Sequence, residues 1–345
     1  MRTAVDLFCG SGGVSQGLRT AGWQVVASCD NDPTAAATYR ANHLETKLVE
    51  GDIEMDSTVD AIAAATAKYA IDLVVICAPC QPFSSQNRHR GNDKREQLIV
   101  RALSVVARLR PSLVFFENVP GLASPAYREI VTAVHARLKN LGYSVSEPMV
   151  RDAADFGVPQ RRRRCIMLAA KSAAAVDAFS GADIRRDSRT VYSAIADLPV
   201  LASGEASAID RLHRARTHQP IAVERLRHIP HDGGSRNSLP DHLVLRCHKG
   251  KATSFSDVYG RMAWQSVAPT LTTGCTDLTR GRFGHPNQDR AITMREAARL
   301  QTFPDEYEFV GEPAQVSRQI GNAVPPTMIE AFVPAFEAAL AIGAD

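Results

Sequence analysis

The first 170 residues alternate between short apolar runs and longer segments in which apolar residues recur at helical spacing. The apolar runs predict strands at residues 4–8, 24–28, 73–77, 113–116, 145–150 and 166–169. The segments between them predict helices at residues 34–42, 59–68, 97–109 and 128–141. Apolar strands separated by helix-length segments predict an α/β fold with a doubly wound, mostly parallel sheet. Such sheets bind ligands beyond the carboxyl ends of their strands.

The alternation stops after about residue 171, and the periodicity stays weak as far as residue 265. Order returns where Thr293, with Glu296 three residues later, predicts a capping box that opens a helix. Apolar residues at helical spacing after Pro326 predict a C-terminal helix that packs back onto the first domain. We therefore predict a large domain of residues 1–170 and 308–345. A smaller, irregular domain is predicted at 171–307, with a hinge motif at 290–305.

Composition and charge narrow the classes of function only modestly. The chain has 345 residues, 45% of them hydrophobic, and a net charge of +3. Residues 171–290 hold 17 Lys and Arg against 12 Asp and Glu, a net charge of +5 that suits nucleic acid or an ordinary solvated surface. Seven cysteines without an apparent signal peptide favour reduced thiols in the cytoplasm. No apolar run of 18 residues predicts a membrane span.

The stretch DLFCGSGG runs from the first predicted strand into Gly10, Gly12 and Gly13 and then into a helix. Glycines let a ligand approach the backbone closely, and a helix N-terminus accepts an anionic group. Asp30 ends the second strand about twenty residues later, where an acid can bind ribose hydroxyls. Asp52 follows a probable third strand within reach of an adenine amino group. The pattern favours a nucleoside-containing cofactor, with a plain tight turn as the alternative.

The stretch CAPCQPFSS contains two cysteines of different character. Cys77 ends an apolar strand and is expected to be a buried strand end. Cys80 stands between prolines at the predicted mouth of the sheet and is a candidate catalytic thiol. A redox pair is the less favoured alternative, because no helix opens at this Cys-x-x-Cys. A zinc site would need further ligands, and the candidates His242, Cys247 and His248 have irregular spacing.

A carboxyl and a run of arginines complete the candidate chemistry. Glu117 follows four apolar residues at a strand end, where its pKa can be raised; capping the following helix is the alternative. Four arginines precede the last strand, at 161–164. Alternate residues of a strand share a face, so Arg162 and Arg164 are predicted on one side and Arg161 and Arg163 on the other. One pair could face the pocket while the other meets phosphates or acids.

Six sequence motifs occur along the chain in this order: DLFCGSGG, APCQPFS, ENVPGL, QRRRR, TMREAARLQTFPD and QIGNAVPP. Together they resemble the motif series of the C5-cytosine DNA methyltransferases, across most of residues 1–170 and 259–330. The resemblance implies a Rossmann-like methyltransferase sheet and makes 171–307 a target-recognition domain.

The resemblance also implies S-adenosylmethionine as cofactor and S-adenosylhomocysteine as its product. The implied cofactor residues are Phe8, Gly10, Ser11, Gly12, Gly13, Asp30, Asn31, Asp52, Ile53, Pro79, Leu98, Asn322 and Ala323. Three positions depart from the family pattern: Asp30 replaces the usual Glu, Asn31 a frequent aromatic residue, and Cys77 a small residue.

The implied catalytic residues are Cys80, Glu117, Arg162 and Arg164. Cys80 would add to C6 of a cytosine flipped out of the duplex, which makes C5 nucleophilic. Glu117 would hold N3 and the exocyclic amine. Arg164, with Arg162, would bind O2 or orient the other two groups.

DNA contacts are expected from a lid at residues 84–93 and from the recognition domain. The predicted contact residues are Ser84, Gln86, Arg88, Arg95, Arg236 and Lys249. We expect double-stranded DNA and a companion restriction endonuclease as partners, and a monomer in the cytoplasm, at the nucleoid in a prokaryote. The same chemistry on tRNA, a catalytically silent DNA-binding regulator and a thiol oxidoreductase are the alternatives. The target sequence does not follow from the residues.

Overall fold

The computed structural model describes residues 1–79, 97–249 and 257–342. Its sheet has the strand order β3-β2-β1-β4-β5-β8-β6 within these ranges, and β7 pairs with β8 outside this path. The strands are β1 (Thr3–Leu7), β2 (Gln24–Asp30), β3 (Lys47–Glu50), β4 (Leu73–Ile76), β5 (Leu113–Asn118), β6 (Ser144–Val145), β7 (Met149–Asp152) and β8 (Arg163–Ala170). Strands β1 to β5 pair in parallel, and β8 is antiparallel to β5, β6 and β7. The prediction of a mostly parallel sheet is confirmed.

Helices cover both faces of the sheet, as the doubly wound prediction requires. The helices of the described ranges are α1 (Gly13–Thr20), α2 (Pro33–Asn42), α3 (Asp56–Thr66), α4 (Leu98–Arg101), α5 (Leu103–Leu109), α6 (Arg128–Asn140), α7 (Ala173–Gly181), α8 (Val191–Ile195), α9 (Pro220–Arg227), α10 (Met294–Leu300), α11 (Pro313–Asn322) and α12 (Pro326–Ile342). Alternate β4 side chains enter two separate cores. Leu73 and Val75 pack on the side of α1, α7 and α12, whereas Val74 and Ile76 pack on the side of α3, α5 and α6.

Two predicted elements are divided in the structure. The strand predicted at 145–150 is the pair β6 and β7, separated by the segment that contains Pro148. Proline cannot donate to a strand ladder, which accounts for the interruption. The helix predicted at 97–109 is the pair α4 and α5.

The predicted domain boundary at residue 170 lies too early. Helix α7 follows that boundary, yet its Phe179 stacks on Phe336 of α12 with ring centroids 5.8 Å apart. Phe115 of β5 meets the same two rings, at 6.1 Å and 5.1 Å. Helix α7 therefore packs with the sheet domain. The C-terminal helix α12 packs onto the first domain as predicted.

The described residues between 182 and 307 form short helices and turns around two clusters of apolar residues. We call the first the small core: Leu226, Ile229, Leu239, Leu243, Tyr259, Leu278 and Ala291. We call the second the hinge core: the buried apolar residues of α8, α10 and α11 and of the segment 303–309. The hinge core joins the irregular region to the sheet domain.

Buried arginines hold this irregular region together. Arg261 is fully buried and donates to the carbonyl oxygens of Ile229, Leu226, His285 and Gln288, besides pairing with Asp289. One guanidinium thus joins its own segment to the end of α9 and to the segment 285–289.

The predicted capping box at the start of α10 is confirmed. The Thr293 side chain accepts a hydrogen bond from the Glu296 backbone N–H, and the Glu296 carboxylate accepts one from Thr293. The same carboxylate pairs with the buried Arg290 at 2.7 Å and 2.8 Å. The pairing keeps the pKa of Glu296 below its usual range, against the opposing effect of burial.

No helix within the described ranges is both long and apolar enough to cross a membrane.

Candidate active site

The carboxyl ends of β1, β2, β4 and β5 open into one cavity of about 470 Å³. Every residue predicted to bind the cofactor lines this cavity except Gly12. Glu117 and Arg164 line it as well, and so do Cys77 and the residues of α11 near Asn322. The cavity lies where a parallel sheet places its ligands, and its volume suits a ligand of nucleoside size.

The turn after β1 is built from residues with unusual backbone conformations. Phe8, Gly10 and Gly12 have φ angles of 59°, 52° and 92°, in the left-handed region. Gly13 has no room for a side chain, because a Cβ there would lie 2.2 Å from the carbonyl oxygen of Val324. A non-glycine residue held at positive φ is a costly feature that concentrates at functional sites, and Phe8 is one.

The prediction that Gly12 contacts the cofactor needs correction. A Cβ on Gly12 would point away from the cavity lining and lie 2.5 Å from Nε2 of His43 and 2.6 Å from the hydroxyl oxygen of Tyr307. The glycine is therefore required by the packing behind the turn and by its positive φ.

Asp30 ends β2 with its carboxylate on the glycine turn. Its Oδ2 accepts a hydrogen bond from the Gly10 N–H at 2.7 Å, and its Oδ1 accepts one from the Asp32 N–H at 2.8 Å. Burial raises the pKa of Asp30, while these N–H groups oppose the rise. A carboxylate offers about four acceptor positions, so Asp30 keeps capacity for ligand hydroxyls at the cavity.

Two buried polar atoms at the cavity fit a polar ligand. Ser11 Oγ and Gln319 Oε1 are buried and have no hydrogen-bond partner among the described residues. Both residues line the cavity. Buried polar groups in native proteins normally have partners, so these atoms indicate where ligand groups would bind. The lining therefore fits a ligand with an apolar ring, ribose hydroxyls and polar ends, as S-adenosylmethionine has.

Glu117 and Arg164 form an ion pair at the cavity. Nε of Arg164 lies 2.7 Å from Oε1 of Glu117, and both side chains are less than a tenth exposed. Nη1 of Arg164 also donates to the Arg163 carbonyl oxygen at 2.8 Å. Glu117 lies within β5. The N-cap residue of the short helix that follows is Val119. The helix-capping alternative for Glu117 is thus not what the structure shows.

The alternation of the four arginines is confirmed. Arg162 and Arg164 are buried, whereas Arg161 and Arg163 are exposed. Arg162, however, does not line the cavity. Its guanidinium donates to the carbonyl oxygens of Leu271 at 3.2 Å, Gly321 at 3.1 Å and Ala323 at 2.9 Å. The structure therefore corrects the catalytic prediction for Arg162: it supports the backbone around the predicted cofactor residues.

Cys77 is not the buried strand end that was expected. It follows the last residue of β4, is partly exposed and lines the cavity beside Glu117. Burial of the thiol raises its pKa well above the usual range, and the Glu117 charge raises it further. A thiol in that environment stays protonated at neutral pH and is a poor nucleophile.

Several predicted residues lie outside the described ranges. These are Cys80, Ser84, Gln86, Arg88 and Arg95. The described chain reaches Pro79, which lines the cavity, and the Ala78 carbonyl oxygen accepts a hydrogen bond from Asn118 at 3.1 Å. This contact ties the segment that leads to Cys80 to the end of the strand that carries Glu117.

The two predicted DNA contacts in the recognition region differ in exposure. Lys249 is exposed, next to the turn Arg246–His248. Arg236 is only 5% exposed, so the prediction that it meets DNA at the surface needs correction. No group of three or more His, Cys, Asp and Glu side chains suited to a metal ion occurs in the described part of the chain.

Several residues at or near the cavity were missed by sequence reasoning, Gln319 among them. Arg318 of α11 lines it and pairs with Asp32 at 3.3 Å, and Asp32 caps α2. His43 and Tyr307 meet behind the glycine turn, with His43 Nε2 and the Tyr307 hydroxyl oxygen 2.9 Å apart. Only folding brings these distant positions together, although Tyr307 does follow the predicted hinge motif.

Comparisons with known proteins agree with this geometry. The model of the family described as C-5 cytosine-specific DNA methylase matches residues 2–337. Type II methylase M.HgiDII of Herpetosiphon aurantiacus is 38% identical over 329 residues, which cover 93% of this chain and 91% of that protein. Type II methyltransferase M.XorII of Xanthomonas oryzae is 33% identical, over 95% of this chain and 82% of that protein.

Solved structures share the fold at lower identity. A putative DNA modification methyltransferase encoded within a prophage (E. coli) has a TM-score of 0.77 at 24% identity, over 99% of this chain and 100% of that one. The Dnmt2 methyltransferase of S. pombe has a TM-score of 0.63 at 20% identity, over 99% and 100% of the two chains. These similarities support a Rossmann-like methyltransferase fold.

Proposed function

This chain belongs to the C-5 cytosine-specific DNA methylase family, and from that premise we propose how its residues methylate cytosine. It is a DNA cytosine-5 methyltransferase that uses S-adenosylmethionine as methyl donor. The observation that carries the residue assignment is the Glu117–Arg164 ion pair, because it lines the same cavity as the predicted cofactor residues.

We assign the cofactor to the cavity at the strand ends. Asp30 would bind the ribose hydroxyls, Phe8 and Ile53 would contact the adenine, and Ser11 would take a polar group of the methionine part. The other proposed cofactor residues are Gly10, Gly13, Asn31, Asp52, Pro79, Leu98, Asn322 and Ala323, all of which line the cavity. When bound there, S-adenosylmethionine supplies an electrophilic methyl group to C5 of the cytosine.

Cytosine C5 is a weak nucleophile, so the chain has to activate the ring. We propose that the Cys80 thiolate adds to C6, forming a C–S bond and placing electron density on C5. After methylation a base removes the C5 proton, the C5–C6 double bond returns and Cys80 leaves as the thiolate. Cys77 does not replace Cys80 in this role, because its raised pKa keeps it protonated.

Glu117 and Arg164 would stabilise the ring while Cys80 is attached. The Glu117 carboxyl group is proposed to hold N3 and the exocyclic amine, and Arg164 to bind O2. The ion pair between them fixes both side chains before the base arrives, since each is almost completely buried. Donors that are held in place in this way need no rearrangement as charge develops.

The target base must leave the duplex to reach this pocket, at a cost of a few kcal/mol. We propose that residues 84–93 close over the flipped base, that Lys249 contacts the backbone, and that Arg161 and Arg163 meet phosphates. Both are exposed; Arg163 begins the strand that carries Arg164, and Arg161 precedes that strand. Base reading is assigned to the region 171–258.

The relatives are named as Type II enzymes, which supports a restriction-modification role. We propose that the chain acts as a monomer at the nucleoid and that a companion endonuclease recognises the same DNA sequence.

The assignment is tested by incubating the protein with S-adenosylmethionine labelled in its methyl group and with DNA. We expect label in 5-methylcytosine, and no label with Cys80→Ala. Cys77→Ser is the matched control, because it alters the neighbouring thiol and is expected to keep activity. Label undiminished in Cys80→Ala would refute the covalent mechanism, and higher turnover on tRNA than on DNA would refute the substrate. Bisulfite sequencing of DNA from cells that express the chain would identify the target sequence.

A further inference from the structure

A chain of polar side chains runs from the exposed Arg19 to the buried His43 and Tyr307 behind the glycine turn, and none of the three lines the cavity. The Tyr307 hydroxyl donates to the carbonyl oxygen of Ser11 at 2.5 Å. Nε2 of His43 lies 2.9 Å from the Tyr307 hydroxyl oxygen, and Nη1 of Arg19 lies 3.1 Å from Nδ1 of His43. Tyr307 and His43 are 3% and 2% exposed. The chain therefore links α1, the end of α2 and the segment after α10 to the turn.

The direction of each hydrogen bond follows from the chemistry of the groups. A guanidinium only donates, so Nδ1 of His43 accepts from Arg19. Burial, followed by the Arg19 charge, lowers the pKa of His43 to about 4, so the ring is neutral at physiological pH. Its one proton is then on Nε2 and is donated to Tyr307. The hydroxyl proton of Tyr307 is therefore donated to the carbonyl oxygen of Ser11, which agrees with the short distance between these two oxygen atoms.

Gly12 is the residue that makes room for this chain of groups. Any side chain there would collide with both His43 and Tyr307. Gly12 stands next to Ser11, whose carbonyl accepts from Tyr307 and whose hydroxyl is buried without a partner in the described part of the molecule. The Ser11 carbonyl oxygen is thus held from behind the turn, while Ser11 itself lines the cavity.

We propose that Tyr307 and His43 are positioning residues for the methyl donor, which hold Ser11 from behind so that the turn presents its hydroxyl to the ligand. The inference rests on the proposed placement of the cofactor in this cavity. Tyr307 also packs against Phe303 and Phe309, with ring centroids 4.7 Å and 5.4 Å away. Through the hinge core, the relay of Arg19, His43 and Tyr307 joins the cofactor turn to the recognition region.

The decisive variant is Tyr307→Phe, which keeps the ring and removes only the hydroxyl. A neutral hydrogen bond of this kind changes an equilibrium by roughly three- to tenfold, so we expect the Kd and KM for S-adenosylmethionine to rise by about that factor. The kcat at saturating donor should stay within about twofold, because no group that touches cytosine has changed. Isothermal titration without DNA gives Kd, and steady-state methyl transfer gives KM and kcat.

Tyr143→Phe is the matched control. Tyr143 is also 3% exposed, and its hydroxyl also donates to a backbone carbonyl oxygen, that of Pro111 at 2.6 Å. It does not line the cavity, so its loss should lower stability comparably and leave the Kd for the donor unchanged. Equal changes of Kd in the two variants would overturn the proposal, because a general loss of stability would then explain both.

His43 provides a second, independent measurement. His43→Leu removes both ring nitrogens and should raise the Kd, whereas His43→Gln keeps a donor and an acceptor and should lie closer to the native value. Adding Tyr307→Phe to His43→Leu should change the Kd little further, since both act through Ser11. Additive effects in the double variant would overturn the relay. Equal effects of Leu and Gln at position 43 would overturn it even if Tyr307→Phe failed to fold.

Asp30→Ala separates this inference from the proposed cofactor site. If Asp30→Ala leaves the Kd unchanged, the placement of the donor fails, and the relay fails with it. If Asp30→Ala weakens binding and Tyr307→Phe does not, the placement stands and the relay alone is refuted.

Discussion

The role of a side chain at this site depends more on its surroundings than on its residue type. Cys77 lies three positions before Cys80, yet its environment raises its pKa and keeps it inert. Arg162 and Arg164 share one face of a strand, yet one holds backbone carbonyls and the other holds a carboxylate. Residue type and spacing predicted candidates, and burial and partners then separated their roles.

Asp6 shows how burial of one carboxyl makes stability depend on pH. It is fully buried in β1, and desolvation raises its pKa to about 7, although a hydrogen bond from Ser15 opposes the rise. Between the unfolded pKa of about 4 and this value the folded protein binds more protons. The contribution of Asp6 to stability should therefore fall as pH rises from 4 to 7 and stay low above 7.

The matching experiment measures the free energy of unfolding of the native protein and of Asp6→Asn between pH 4.5 and pH 8. The stability of the native protein relative to Asp6→Asn should decrease across this range, by about 3 kcal/mol. Asp60→Asn, a change of an exposed carboxyl, is the control. A difference between native and Asp6→Asn that does not vary with pH would contradict the expectation.

At the scale of secondary-structure elements, the sequence correctly predicted the features that depend on the pattern of neighbouring residues. Strand β4 is an uninterrupted apolar run, β5 begins with four apolar residues, and the capping box of α10 is visible in two residues. Helix α7 was assigned to the wrong domain because AAAVDAFSG has little amphipathic pattern, and only packing of Phe179 shows where it belongs. Likewise Tyr307 and Ser11 meet across 296 positions, and no local rule predicts that contact.

Arg162 connects three such elements and yields a prediction at this scale. It joins the start of β8 to the segment at Leu271 and to the end of α11. Arg162→Met keeps much of the volume but leaves buried carbonyl oxygens without this donor. We expect a loss of roughly 3 kcal/mol in the free energy of unfolding, at about 1–3 kcal/mol for each unsatisfied group. The Kd for S-adenosylmethionine should also rise, because Ala323 lines the cavity.

Urea unfolding and donor titration check both effects in the same protein. Arg185→Met, which changes an exposed arginine, is the control and should alter neither. If Arg162→Met retained native stability and affinity but lost kcat, Arg162 would be catalytic after all.

At the scale of the whole molecule, positive charge is concentrated in one part of the sequence. The net charge of +5 lies in residues 171–290, while the rest of the chain is close to neutral. Arg161 and Arg163 are exposed and add positive charge next to Arg164. A duplex bound there would be held by phosphate contacts next to the pocket that receives the base.

The dependence of DNA affinity on salt tests this arrangement. The logarithm of the association constant should fall linearly with the logarithm of salt concentration, as counterions are released. Replacing both Arg161 and Arg163 by Gln should reduce the slope by roughly 2, at about 0.9 for each lost phosphate contact. Fluorescence anisotropy with a labelled duplex measures the slope. A slope identical to that of the native protein would place the DNA elsewhere.

The buried Arg261 has a consequence for how such a protein diversifies. It joins its own segment to the end of α9 and to residues 285–289 from the inside, so the shape of the irregular region depends little on the residues that its turns expose. Surface substitutions away from such buried contacts usually change stability by less than about 0.5 kcal/mol. Outward-facing positions can therefore be exchanged over generations at little cost to folding. Proteins that retain Arg261 can therefore acquire new DNA target sequences while their catalytic domain stays the same.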